Sequence, residues 1–276
     1  MSEELFHQNE QMSEVLQQVS SQLRLSLGNI HSALVRLAPP EAREDHEGID
    51  RDAAVLCQSY YRILRLAHNL SDVSEPERPE GAGLTNDDVV EVCRGVMERA
   101  EVPAELLGIR LAFRSNKPGQ IIAMDSERIE RLLLNLLSNA FKFIGAGEKL
   151  VTLEVRTEPD YVYLTLSDTG RGIPAGQLDT AFDRWQELRR MDPPPHGLGL
   201  GLPVCQRIVR EHGGALVLSS QEGRGTTVTA SLPNRRAPVR LRTSLPIMNW
   251  NGGFNRTLLG LADALPRQAF TQKYLD

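Results

Sequence analysis

The 276-residue sequence contains few cysteines, no long apolar run and no leader-like N-terminus. Its three cysteines, Cys57, Cys93 and Cys205, lie far apart without the spacing of a zinc or redox motif, which fits a reducing cytoplasm. No apolar stretch approaches the roughly 18–20 residues that span a bilayer. The first residues also lack the basic and apolar regions of a signal peptide. We therefore expect a cytoplasmic protein that does not enter a membrane.

An excess of positive charge is absent too. The formal net charge is −5, whereas a surface that binds nucleic acid usually needs a basic patch, so we expect no nucleic-acid partner. The composition, with 41% hydrophobic and 24% charged residues, is typical of a folded globular protein. The length is sufficient for one large domain or two ordinary ones.

The N-terminal part has a helical pattern. Apolar residues recur every three or four positions within residues 5–37 and end before Pro39, which indicates an amphipathic helix. A second apolar face runs from Ile49 to Leu70. Two such helices bury their apolar faces poorly alone, whereas two copies of the hairpin bury them in a four-helix bundle. Residues 1–75 therefore predict an αα-hairpin that forms a homodimer.

The sequence pattern changes after an acidic linker. Residues 84–233 alternate helical and strand patterns, with a strongly apolar helix over Ser126–Phe143 that Asp125 caps. Helices beside a mixed, mostly antiparallel sheet indicate an α+β fold with a two-layer sandwich. The remaining predicted helices cover 87–101 and 203–212, and the predicted strands cover 110–113, 120–124, 151–157, 161–167, 215–220 and 226–232. Residues 234–276 predict a tail with one short helix, a packed extension in preference to a docking segment.

Two patches of this second module carry side chains suited to phosphates and metal. In NLLSNAFKF, Asn135, Asn139 and Lys142 share one helix face. An amide oxygen suits Mg²⁺ and a lysine suits phosphate, although such residues also form ordinary solvated helix faces. The glycine-rich stretch HGLGLGLP opens a helix, and free N–H groups at a helix start bind anions.

Two further patches suit a base ring. In DTGRGIP, the carboxylate of Asp168 suits an amino group such as that of adenine, and Gly170 and Gly172 let the backbone approach a flat ring. In EGRGTTV, the hydroxyl of Thr226 is placed to lie near the same ring. Each patch alone is equally explained as a tight turn or a hairpin turn.

The order and spacing of these patches resemble the ATP-binding domain of sensor histidine kinases, a branch of the gyrase–Hsp90–histidine kinase–MutL superfamily. NLLSNAFKF resembles its N box, DTGRGIP its G1 box, GLGLGL its G2 box and EGRGT its G3 box. AFDRW, with Phe182 and Trp185, resembles its F box. The resemblance covers roughly residues 85–233.

The resemblance implies a site for ATP and Mg²⁺, with Asn139 on the metal and Asn135 and Lys142 near the phosphates. Asp168 would accept a hydrogen bond from the adenine amino group. Residues 183–196 would form a lid, with Arg189 or Arg190 reaching the γ-phosphate. The full implied set of ATP-binding residues is Asn135, Asn139, Lys142, Asp168, Gly170, Gly172, Ile173, Phe182, Gly197, Leu198, Gly199, Leu200, Gly201, Leu202 and Thr226.

One position of the N box separates the branches of this superfamily. ATP-hydrolysing and serine-kinase members usually carry a glutamate, the general base, four residues before the metal asparagine. Here that position is Asn135, which accepts no proton. The resemblance therefore favours the histidine-kinase branch over an ATPase.

The first predicted helix resembles the phosphoacceptor helix of the same family, with a difference that changes its chemistry. SSQLRLSL aligns with a motif close to Ser-His-Glu-Leu-Arg-Thr-Pro-Leu, so Ser21 replaces the histidine and Gln22 the acid. A serine without a neighbouring base is a weak nucleophile. Neither His31, His46 nor His68 is a compelling substitute.

Two functions therefore stay open. One is a histidine kinase of a two-component system, with a response regulator as partner, whose autophosphorylation is lost or moved to another residue. The other is a pseudokinase that acts as an ATP-gated dimeric binding module.

Overall fold

The computed structural model describes residues 2–74, 78–174, 176, 199–238 and 255–274. The N-terminal part consists of helices α1 (Ser2–Leu37), α2 (Pro40–Asp45) and α3 (Glu47–Ser74). Helix α1 ends where the sequence predicts, because Pro39 cannot continue it. The six-residue helix α2, which the sequence analysis did not predict, separates the two long helices. The N-terminal helical hairpin is therefore present.

Helices α1 and α3 pack along each other and bury only part of the predicted apolar faces. Leu27 and Leu34 of α1 and Leu64 of α3 are buried. Other large apolar side chains of this hairpin remain exposed to solvent in the single chain: Val19, Leu25, Ile30, Val35, Leu37, Ile49, Leu56, Ile63 and Leu66. A single hairpin thus leaves an extended apolar surface uncovered.

The second module is an α+β sandwich with a mixed sheet, as predicted. Its elements are β1 (Thr85–Asp88), α4 (Val89–Glu105), β2 (Arg110–Ser115), β3 (Ile121–Met124), α5 (Ser126–Phe143), β4 (Leu150–Thr157), β5 (Tyr161–Asp168), α6 (Gly201–Glu211), β6 (Ala215–Gln221) and β7 (Gly225–Pro233). The five-stranded sheet has the order β2-β4-β5-β7-β6, parallel between β2 and β4 and antiparallel elsewhere. A separate antiparallel pair joins β1 and β3.

Alternation along the strands creates the core of this module. In β4 and β5 every second residue is buried, for example Leu153 and Leu164, because successive side chains of a strand point to opposite faces. Helices α4, α5 and α6 pack against the sheet. Helix α5 has its predicted bounds, and the side chain of Asp125 accepts a hydrogen bond from the N–H of Arg128, as an N-cap does.

The C-terminal tail joins the two parts of the molecule. Helix α7 (Arg256–Leu261), capped by Asn255, contacts both α3 and α5. After α7, Leu265 and Phe270 are buried, and the chain forms two short 3₁₀ helices, Arg267–Phe270 and Gln272–Tyr274. No helix in the described part of the chain is long and apolar enough to cross a membrane.

Side chains of the helical hairpin hold this tail by its backbone. Arg43 donates to the carbonyl of Phe270 at 2.8 Å, and Gln58 donates to the carbonyl of Leu265 at 2.9 Å. Arg62 donates to the carbonyl of Ala262 at 3.2 Å. Because buried carbonyls need donors, these three bonds fix where the tail crosses α3.

Candidate functional site

A cavity of about 640 Å³ opens where the four predicted patches meet. It lies among α3, α5, the end of β5 and the start of α6. The predicted site residues that line it are Asn139, Lys142, Asp168, Gly172, Ile173, Gly199, Leu200, Gly201, Leu202 and Thr226. Segments that are distant in the sequence thus form one cavity of a size typical for a small ligand.

One end of the cavity has a buried carboxylate against apolar walls. Asp168 ends β5 and pairs with Thr226 at the start of β7. Its Oδ1 accepts a hydrogen bond from the N–H of Gly170 at 2.7 Å. Burial raises the pKa of Asp168, although N–H groups of Gly170 and Thr226 oppose that shift. The nearby apolar wall includes Leu166, Ile173, Leu218 and Val228. A flat ring with an exocyclic amino group fits such a wall and such an acceptor.

The glycines of the G1 box serve the backbone more than the ligand. Gly172 has a φ of +68°, and a Cβ there would lie 2.1 Å from the carbonyl oxygen of Gln221. A Cβ on Gly170 would lie 2.5 Å from the carbonyl oxygen of Phe143, and Gly170 is not among the lining residues. Only glycine permits these approaches, so it fixes the loop beside the cavity without having to contact a ring.

The other end of the cavity is polar and suits phosphates. The amide oxygen of Asn139 lies 3.8 Å from the place where a Cβ on Gly201 would be. Gly201 and Leu202 begin α6 and line the cavity, and no side chain caps this helix start, whereas the next residue, Pro203, has no N–H. The N box of α5 and the G2 box therefore meet as the sequence predicts.

A magnesium ion fits this end through Asn139. Mg²⁺ in nucleotide sites takes few protein ligands and several phosphate or water oxygens. Within the described ranges no group of three His, Cys, Asp or Glu side chains is placed to hold a metal on its own. A single amide oxygen thus suits a metal that arrives with phosphate oxygens.

Asn135 lies one helical turn before Asn139, and its Oδ1 is also 3.8 Å from the place where a Cβ on Gly201 would be. It is buried, and its Oδ1 accepts a hydrogen bond from Arg65 of α3 at 3.0 Å. It lines an adjoining cavity of about 320 Å³, not the large one. Its amide thus contacts the helical hairpin, and it offers no basic group to the phosphate end.

Helix α3 and the tail also contribute to the cavity, which no sequence motif predicts. Arg62, Arg65 and Leu66 of α3 line the large cavity together with Asp263 of the tail. Asp263 pairs with Lys142 at 3.2 Å. Burial lowers the pKa of Lys142, and the carboxylate of Asp263 opposes that shift. The helical spacing of Arg62, Leu66 and Asn69 was the only local signal that these side chains share a face.

Several predicted residues lie elsewhere. Phe182, Gly197, Leu198 and the lid segment 183–196, with Trp185, Arg189 and Arg190, lie outside the described residues. Ser21 and Gln22 are exposed on α1 and are not among the residues that line the cavity.

The histidines of the hairpin differ in their surroundings. The ring of His31 stacks on Tyr60 at 5.0 Å between centroids, and burial lowers its pKa. Burial and the nearby Arg131 and Arg24 lower the pKa of His68 to about 4. His46 is exposed between α2 and α3. None of the three lines the large cavity.

Comparison with known proteins identifies the domain that contains the cavity. Residues 124–236 match the family described as "Histidine kinase-, DNA gyrase B-, and HSP90-like ATPase". Residues 124–236 thus form a domain similar to those of this family. This matched range includes the N, G1, G2 and G3 boxes, so the predicted family resemblance is confirmed for this domain.

Relatives extend the similarity beyond the ATPase domain. Sensor protein SrrB of Staphylococcus aureus is 27% identical over 234 residues, which cover 82% of this chain and 39% of that protein. The chain thus spans less than half of the length of such relatives. The solved structure of full-length ShkA in complex with AMPPNP is 24% identical and has a TM-score of 0.62 over 83% of this chain and 47% of that one. This likeness shows a shared fold over more of the chain than residues 124–236.

Proposed function

We propose that this chain is an ATP-binding, histidine-kinase-like protein of two-component signal transduction. The observation that carries the proposal is the single cavity that joins Asp168, Asn139 and the start of α6. Asp168 accepts the adenine amino group, and Lys142 and the first N–H groups of α6 bind phosphate oxygens. The complex of the structural neighbour with AMPPNP supports this assignment.

Asn139 holds Mg²⁺ together with the phosphates in this proposal. The ion, when bound, neutralises and orients the phosphate oxygens. The protein contributes the amide oxygen of Asn139 on helix α5 and, close to it, the backbone at Gly201. The apolar wall of the cavity excludes water from the base.

A homodimer is the assembly that this proposal requires. The exposed apolar side chains of α1 and α3, such as Leu25, Ile30 and Leu56, form a surface that one copy leaves uncovered. A second hairpin that packs on it completes a four-helix bundle. A response regulator is the partner class that the family suggests, in the cytoplasm.

Similarity to sensor proteins supports chemistry of the histidine protein kinase class, but the acceptor position argues against autophosphorylation at its usual place. Ser21 is exposed on α1 and the next residue, Gln22, is a neutral amide, so the adjacent position supplies no acid or base to activate the hydroxyl. The second neutral amide, Asn135, is bonded to Arg65. Neither Gln22 nor Asn135 can therefore act as a general base.

A pseudokinase is the second candidate, and the same two residues favour it. In this reading the chain binds ATP, and nucleotide binding changes how the hairpin and the ATPase domain pack. Direct bonds between α3 and α5, such as Arg65 to Ser138 at 2.7 Å, provide the contact through which such a change is transmitted. The two candidates differ in one reaction: a kinase transfers the γ-phosphoryl group of ATP to its own chain, and a pseudokinase does not.

Discrimination between bases tests the proposed nucleotide site. Adenine presents an amino group to Asp168, whereas guanine presents a carbonyl oxygen that the carboxylate repels. We expect calorimetric titration with Mg²⁺ to give a Kd for ATP at least about tenfold lower than for GTP, because each misplaced polar group costs about 1–3 kcal/mol. Equal affinities for the two nucleotides would contradict the role of Asp168.

A further inference from the structure

A tail carboxylate lies between two cations at the phosphate end of the cavity. The Oδ2 atom of Asp263 is 3.2 Å from the Nζ of Lys142 and 3.6 Å from NH1 of Arg65. All three side chains line the large cavity. Lys142 belongs to the ATPase domain, Arg65 to the helical hairpin and Asp263 to the tail, so three separate parts of the chain converge on one anionic group.

Arg65 is the more unusual member of this group. Its side chain is only 5% exposed, and it donates to two neutral acceptors, Ser138 at 2.7 Å and Asn135 at 3.0 Å. Its Nε atom is buried and has no hydrogen-bond partner among the described residues. A buried guanidinium needs a compensating anion, and Asp263 is the one carboxylate in the described ranges that pairs with it.

The match between Asp263 and this pair of cations is incomplete. The 3.6 Å separation from Arg65 is longer than a charge-assisted hydrogen bond, which is typically about 2.7–2.9 Å. The carboxylate also keeps 30% of its surface exposed. A planar group with two oxygens thus satisfies Lys142 well and Arg65 poorly, whereas a phosphoryl group offers three oxygens on a tetrahedral centre.

The tail holds Asp263 in this place without depending on the carboxylate. Leu261 and Leu265 on either side of it are buried. Hydrogen bonds from Arg62 and Gln58 to the carbonyls of Ala262 and Leu265 fix the same stretch of backbone. The charge of Asp263 therefore adds to the electrostatics of the site more than to the anchoring of the tail.

We propose that Arg65 and Lys142 form a subsite for the terminal phosphate of a nucleoside triphosphate, and that the carboxylate of Asp263 competes with that phosphate for it. The proposal rests on the proposed nucleotide site and names a regulation of it. Because Arg65 lies on α3, a terminal phosphate in the subsite links the ATPase domain to the hairpin, and a nucleotide without that phosphate leaves Asp263 in place. Asp263 therefore lowers the affinity of the site for a nucleoside triphosphate.

The test compares the unaltered chain with Asp263→Asn, which keeps the shape and removes the charge. Calorimetry with Mg²⁺ measures binding of a non-hydrolysable ATP analogue and, separately, of adenosine. We expect the variant to bind the analogue at least about tenfold more tightly, since a like charge within several ångströms of the phosphate is removed. Adenosine affinity changes less than about twofold. An analogue Kd that is unchanged or higher in the variant overturns the proposal.

Two controls make the outcome specific. Asp160→Asn removes a carboxylate from an exposed turn between β4 and β5, away from the cavity, and is expected to leave both affinities unchanged. Tripolyphosphate, which has no base, tests the subsite alone. If adenosine and the ATP analogue bind to neither chain, the proposed function fails. Tighter binding of tripolyphosphate to Asp263→Asn then still supports the subsite, and equal or absent binding overturns it.

Discussion

We expect the Asp168→Asn variant to bind ATP about a hundredfold more weakly than the unaltered chain. The carboxylate of Asp168 accepts the N–H groups of Gly170 and Thr226 and, with about four lone-pair sites, can still accept an amino group. An asparagine that keeps the bond to Gly170 must turn its NH₂ group toward the adenine amino group, which places two donors face to face. Loss of a hydrogen bond to a charged group and one unsatisfied donor together cost about 3 kcal/mol.

Calorimetry with Mg²⁺ and ATP measures this loss, and thermal unfolding confirms that the variant remains folded. Asp160→Asn is the matched control, because Asp160 is an exposed turn residue between β4 and β5 and makes the same change of charge away from the cavity. The control is expected to bind ATP as the unaltered chain does. Undiminished binding by Asp168→Asn would remove Asp168 from the site.

The second large effect is a gain of function in the double variant Ser21→His, Gln22→Glu. This variant restores an imidazole nucleophile and an adjacent acid on an exposed turn of α1. We expect incubation with Mg²⁺ and γ-labelled ATP to give acid-labile label on the variant, at least about tenfold above the unaltered chain, because a serine without a base is a poor nucleophile.

Two further variants establish where the label goes. Gln22→Glu alone restores the acid without the imidazole and is expected to stay at background. Adding Asn139→Ala to the double variant removes the proposed metal ligand and is expected to abolish the gain. Label that is equally strong in the unaltered chain and in the double variant would mean that position 21 is not the acceptor.

Local patterns explain which parts of the fold were predictable. The bounds of α5 and its cap by Asp125 follow from apolar spacing and one capping side chain within the segment itself. The β4–β5 hairpin follows from alternation on both sides of a short turn. Strand β1 was missed because its sequence, Thr85–Asp88, has low strand propensity, and pairing with β3 makes it a strand.

The site was predictable where it depends on motifs and not where it depends on packing between modules. Asn139, Asp168 and Thr226 line the cavity as their boxes predict. Arg65 and Asp263 lie far apart in the sequence, and neither belongs to a motif. Their contact with the site arises only because the tail packs between α3 and α5, a long-range arrangement that local periodicity does not encode.

The glycines show a related distinction. Gly172 lines the cavity, so its approach to a base ring stays a prediction. The structure adds a second requirement for glycine, because a side chain there would collide with the backbone of Gln221. The sequence indicates that a glycine-rich turn is present, but it does not show which neighbouring atom excludes a side chain there.

The most direct test of the account measures ATP binding and phosphoryl transfer on the same preparation of the unaltered chain. The central claim is that the nucleotide site is intact while the acceptor position, Ser21 with Gln22, lacks its reactive pair. The account predicts that the chain binds ATP in the presence of Mg²⁺ and retains no acid-labile label from γ-labelled ATP. Acid-labile label on the unaltered chain, or absence of ATP binding, would contradict it.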